Sequence, residues 1–64
     1  MKVNGKDVEL VAPMTVTDLI LNTGYKQDRV AVELNGKIVP RSKYSATFLE
    51  ESDSVEIVGF VGGG

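Results

Sequence analysis

Apolar and polar positions alternate in short stretches along this chain, separated by Asn-Gly pairs, a proline or acidic runs. Val3 precedes Asn4-Gly5, and Val8 and Leu10 follow it, alternating with Asp7 and Glu9. Asn-Gly is the preferred two-residue hairpin turn because both central residues need positive φ. Residues 1–11 are therefore expected to form strand, tight turn and strand. Val8 and Leu10 should face the core while Asp7 and Glu9 face water. Pro13 ends that pattern. Thr15 lies three residues before Asp18, a capping box in which Asp replaces the usual Glu or Gln, with Thr17 the alternative cap. Val16, Leu19, Ile20 and Thr23 recur at helical spacing and predict one inward face, and Gly24 supplies the helix stop. A helix of about two turns is marginal alone, so packing on a sheet must hold it.

Val30, Val32 and Leu34 then alternate with Ala31 and Glu33, the mark of a half-buried strand. Asn35-Gly36 is a second hairpin turn leading into Lys37-Ile38-Val39. Pro40 has no N–H for a ladder, which makes the returning strand short and places it at an edge. Residues 41–49 lack a clean period and read as a connecting turn, with Tyr44, Phe48 and Leu49 tucked under the sheet. After the polar turn Glu50-Glu51-Ser52-Asp53, the last strand (54–61) is apolar on both parities: Val55, Ile57 and Val61 against Val58 and Phe60. Only Glu56 breaks that pattern. Such a strand is expected to be covered on both faces, and therefore central. A hairpin, a crossing helix and a second hairpin closed by a central last strand make an α+β, ubiquitin-like β-grasp arrangement. It has a mixed sheet of four to five strands, one short helix on one face and an extended C-terminal glycine tail. A first strand parallel to the last satisfies the right-handed crossover rule. Residues 1–64 read as one domain, with 61–64 its flexible tail.

Composition narrows the chemistry. Sixty-four residues lie near the lower limit for a self-supporting core. With no cysteine and no histidine, the chain has no disulfide, thiolate metal site, cysteine nucleophile or histidine base. No apolar run reaches membrane-spanning length and no leader opens the sequence, so a cytoplasmic protein without membrane contact is expected. A net charge of −2, from seven basic and nine acidic residues, argues against nucleic acid as a partner. Lys37, Arg41 and Lys43 beside Tyr44 read as a solvated loop. Ser42, Ser45, Ser52 and Ser54 have no histidine to activate them, and Glu50, Glu51 and Asp53 read as a solvated turn. Catalysis by the chain itself, or a metal or cofactor bound by it, is not expected.

The remaining reactive group is the carboxylate of Gly64, after Val61, Gly62 and Gly63. It is ionised and nucleophilic at neutral pH. Attack on an activated phosphorus of a nucleotide gives an acyl-adenylate, which sulfur converts to a thiocarboxylate and an amine converts to an amide. A partner enzyme must then supply the nucleotide site and metal. Residues without a Cβ pass through a channel too narrow for side chains, and three extended residues reach ~10 Å. Val58, Phe60 and Val61, beside the tail, are candidates for a docking surface, with sheet burial the favoured reading for Val58. A glycine run alone is a weak motif. Here it abuts a strand with no Ser or Thr spacer.

Asn35-Gly36, then Val39-Pro40-Arg41 with an aromatic at Tyr44, then Asp53-Ser54-Val55-Glu56-Ile57 and Val61-Gly62-Gly63-Gly64, together resemble the ThiS family over essentially the full length. ThiS proteins are the small β-grasp sulfur carriers of thiamine biosynthesis. The resemblance implies that a ThiF-like adenylyltransferase activates Gly64 with ATP and magnesium. A cysteine-desulfurase-derived persulfide then makes the thiocarboxylate, and a ThiG-like thiazole synthase receives its sulfur. Gly63 and Gly64 match the family's terminal pair, and Gly62 belongs to the tail threaded into the partner. Arg41 matches a recurrent family position, as a partner contact or a shaper of its loop. Ser52 departs from the glycine often found in that turn, which touches turn geometry only. The alternatives are a MoaD-like or other pathway's sulfur carrier, a ubiquitin-like modifier, and an inert β-grasp interaction module.

Overall fold

Both Asn-Gly pairs form the turns their chemistry demands. In the computed structural model, which describes residues 1–60, Asn4 and Gly5 have φ of 51° and 82°, and Asn35 and Gly36 have 52° and 84°. The first turn joins β1 (Lys2–Val3) to β2 (Lys6–Asp7), and the second joins β3 (Val30–Leu34) to β4 (Lys37–Ile38). Between the hairpins runs α1 (Val16–Thr23), followed by a 3₁₀ turn, Gln27–Arg29. A 3₁₀ helix, Arg41–Ala46, precedes the last strand, β5 (Ser54–Gly59). The sheet order is β2-β1-β5-β3-β4, with β1 parallel to β5 and the other pairs antiparallel. The last strand is therefore central and the hairpins flank it, as the pattern predicts.

Local signals decide the helix. Thr15 Oγ1 accepts from Asp18 N and Asp18 Oδ2 accepts from Thr15 N, a complete capping box. Gly24, at φ 85°, closes the other end. Val16, Leu19 and Ile20 enter the core, but Thr23 is exposed, contrary to the expected stripe. Its hydroxyl donates to Ile20 O at 2.6 Å and accepts from Tyr25 N at 3.3 Å. It serves the helix end instead of the core. Val16, Ile20, Val32 and Val55 have no exposed surface, and each such side chain contributes about 1.5–3 kcal/mol.

Two other inward expectations fail for geometric reasons. Val8 is 37% exposed, because β2 is the outer strand and ends at Asp7. Val8 stays paired with Met1 by two bonds, Val8 N donating to Met1 O at 2.8 Å and the Met1 amino group donating to Val8 O at 3.0 Å, and the Met1 side chain occupies the core. Phe48 is 61% exposed while Tyr44 and Leu49 are buried. Thr47, Phe48 and Leu49 run extended beside the start of α1, with Val16 N bonded to Thr47 O and Leu49 N to Met14 O. Alternation then turns Phe48 outward as Leu49 turns in. The connection before it is helical, and Tyr44 Oη reaches Val30 O at 3.5 Å.

The turn asparagines do a second job. After β1 turns away, the Asn4 carboxamide takes its place beside β5: Oδ1 accepts from Ile57 N at 2.7 Å and Nδ2 donates to Ile57 O at 3.2 Å. On the opposite edge, Asn35 Oδ1 accepts from Ser54 N at 2.9 Å and Nδ2 donates to Asp53 Oδ1 at 3.0 Å. Each side chain thus holds β5 from one flanking hairpin. Asn4→Gly keeps the positive φ and deletes only the two side-chain bonds, so urea denaturation should show a loss of about 1–3 kcal/mol. An unchanged midpoint would mean that the carboxamide is not a structural clip.

Candidate functional site: the open sheet face and the root of the tail

One short helix covers one face of the sheet, and the other face is open. On β5, Val55 and Ile57 point into the core, so Ser54, Glu56 and Val58 point out. Val58 is 56% exposed and Phe60 55%. The expected two-sided burial of the last strand is thus corrected, and with it the favoured reading of Val58 as a core residue. The strand is central by pairing, but its second apolar parity has nothing over it among the described residues. The register adds neighbours to this face: Ala31 opposes Val58, Glu33 opposes Glu56, and Ile38 opposes Glu33. Ile38 is 65% exposed. Lys2 opposes both Ser54 and Asp7, and its Nζ lies 3.0 Å from Asp7 Oδ1.

The root of the tail is fixed from both faces. Phe60 N donates to Arg29 O at 2.7 Å, one step beyond β5, so backbone pairing persists to the last described residue. Phe60 and Val58 share the open face. On the helix face Tyr25, just past α1, lies over Gly59. A Cβ built on Gly59 would stand 2.8 Å from Tyr25 Cε1. Hence Gly59 breaks the inward parity of Val55 and Ile57: the ring fills the space a side chain would need.

The expected site residues are only partly gathered. Val58 and Phe60 lie on one exposed surface. Arg41 lies on a different element; it is the exposed first residue of the 3₁₀ helix that follows the edge strand β4. Val61, Gly62, Gly63 and Gly64 lie outside the described residues. Sequence reasoning missed Tyr25, Ile38 and Glu33 as part of this region. The signal was present in the alternation of β3, where Glu33 and Ala31 share the parity opposite Val30 and Val32. Among the described residues there is no pocket, no cluster of three metal-binding side chains, and no helix long and apolar enough to cross a membrane.

A five-stranded mixed sheet, one crossing helix and a last strand running out from the sheet's centre define a ubiquitin-like β-grasp domain. The ThiS family model matches residues 1–64. The chain belongs to the ThiS family, the ThiS-type sulfur carriers. The sulfur carrier protein ThiS of Bacillus subtilis is 37% identical over 65 residues, covering all of this chain and 98% of that one. A crystal structure of the thiamine biosynthesis protein ThiS from Geobacter metallireducens superposes with a TM-score of 0.79 at 36% identity. That match covers 98% of this chain and 96% of the other. A thiazole synthase of Paramagnetospirillum magneticum contains a segment 42% identical over 62 residues, 97% of this chain. The chain spans about a fifth of that protein's length, 19%.

The Tyr25 ring is half-exposed and must shift to admit a methyl group, so Gly59→Ala should leave the fold standing at a cost of about 1 kcal/mol, the low end for overpacking. It should shift the Tyr25 ring resonances in an NMR spectrum. Unmoved Tyr25 resonances would show that the ring does not rest on Gly59 in solution.

Proposed function

We propose that this protein carries sulfur for the thiazole ring of thiamine on the carboxyl group of Gly64. The supporting observation is the family match over residues 1–64, which includes the three consecutive glycines, on a body whose last strand exits from the middle of the sheet. In this reading an adenylyltransferase of the ThiF type binds ATP and magnesium, and the carrier brings only its carboxylate. A carboxylate oxygen attacks the α-phosphorus, pyrophosphate leaves, and the C-terminus becomes an acyl-adenylate. The terminal sulfur of a persulfide derived from a cysteine desulfurase attacks the acyl carbon and displaces AMP. A thiol then cleaves the resulting acyl disulfide and leaves the thiocarboxylate. A ThiG-type thiazole synthase takes that sulfur.

The described residues support the division of labour. They offer no concave site, while Val58 and Phe60 give an enzyme an apolar surface beside the tail root. Glycines 62–64 present no side chain to the walls of a narrow channel. The thiazole synthases that contain a similar segment support a synthase as the acceptor.

Deleting Gly64 should abolish adenylation and sulfur loading while circular dichroism and thermal stability stay unchanged. Intact-mass analysis after incubation with the adenylyltransferase, ATP and a persulfide donor should show one oxygen replaced by sulfur in the wild type alone. Loading of the truncated chain, or an isopeptide-linked adduct in place of the thiocarboxylate, would defeat the reading.

A further inference from the structure

The open sheet face holds a charge arrangement that delivery of a carboxylate does not require. Glu33 and Glu56 are direct cross-strand partners on β3 and β5, and both are exposed. Residues so placed hold their Cβ atoms about 4.5–5.5 Å apart, a distance at which like charges repel. Among the described residues neither carboxylate has a cation within ion-pair distance; the two ion pairs are Met1 N with Glu51 and Lys2 with Asp7. Lys2, the cation on this face, is thus already engaged. The surroundings are apolar: Ile38 opposes Glu33, and Ala31 and Val58 are the next outward pair toward the tail root. Such a face disfavours the isolated domain and is complementary to a cation arriving on an apolar partner.

We infer that this face docks on the thiazole synthase, which presents a guanidinium between Glu33 and Glu56 and apolar side chains over Val58 and Ile38. A guanidinium suits the gap because its planar fork donates to two carboxylates at once. Contact with Val58 and Ile38 removes water from around the pair and strengthens that attraction. The occupant follows from the thiazole synthases of Paramagnetospirillum magneticum and Magnetococcus marinus, which contain segments 42% and 39% identical to this chain. In those proteins the remainder of a synthase is the covalent neighbour of such a domain. The inference rests on the sulfur-carrier reading and adds the residues and the chemistry of recognition.

The test measures affinity for the thiazole synthase encoded in the same genome, by calorimetry at low and high salt. Wild type, E56K and the double variant E33Q/E56Q are compared. E56K should weaken binding by more than tenfold, and the double variant should weaken it and flatten its salt dependence. E56K also replaces repulsion across the strands by attraction, so its melting temperature should rise by roughly 2–5 °C. Tighter folding with weaker binding is a signature that damage to the fold does not produce. Unchanged affinity in E56K, or lost affinity together with a lowered melting temperature, overturns the inference. Sulfur loading of the wild type is followed in parallel. If it fails, the carrier reading fails; if it succeeds while E56K binds as tightly as wild type, only the docking inference falls.

Discussion

The structure depends on how β5 is held. Its peptide groups are bonded on one side by β1 and, beyond the turn, by the Asn4 carboxamide, and on the other by β3. The start of the strand is held again by Asn35. A central strand needs every N–H and C=O met, and here the Asn4 side chain finishes what the two-residue β1 leaves open, while the Asn35 side chain carries the β3 edge one residue further. The β1–β2 hairpin is too small to be stable alone, and β5 gives it a template. Because β5 is the last strand, whatever fixes it also fixes where the chain leaves the sheet. The bond from Phe60 N to Arg29 O carries that order to the root of the tail.

A single eight-residue helix sets the second constraint. It covers one face of five strands, and its neighbour Arg41–Ala46 sends Tyr44 into the same core. The opposite face keeps Val58, Phe60 and Ile38 exposed, which costs solubility and gains nothing for the isolated fold. Under the proposed function that face is the surface offered to partner enzymes.

The same residues show why so little chemistry is needed from the body. Under the proposed function the Gly64 carboxylate is the reacting group, and a partner enzyme supplies the nucleotide and metal. The carrier contributes placement. Gly59 illustrates the economy: leaving out a side chain allows Tyr25 to lie against the last turn of pairing, while Phe60 flanks the strand from the other face. Two aromatic rings thus bracket the exit of the chain.

Much of this was legible in the residues themselves, where the determining interactions are local. Asn-Gly turns, the Thr15–Asp18 box, the Gly24 stop and the alternation of β3 depend on neighbours within a few positions, so sequence spacing alone decides them. The apolar character of β5 marks its central place in the pairing, but not burial on both faces, since Val58 stays exposed. Thr23 is misplaced for a local reason, its hydroxyl serving the helix end, whereas Val8, Phe48 and Val58 share another cause: each is apolar and correctly spaced, but whether something covers it depends on where distant elements stop. Val8 lies past the end of an edge ladder, Phe48 on the outward side of an extended run, and Val58 on the face the helix does not reach. The Asn4 and Asn35 clamps and the contact of Tyr25 with Gly59 join positions far apart in the chain, with no periodicity to announce them. Local backbone preference is therefore written in the order of residues, whereas coverage is a property of the assembled sheet and helix, and only the tertiary structure decides it.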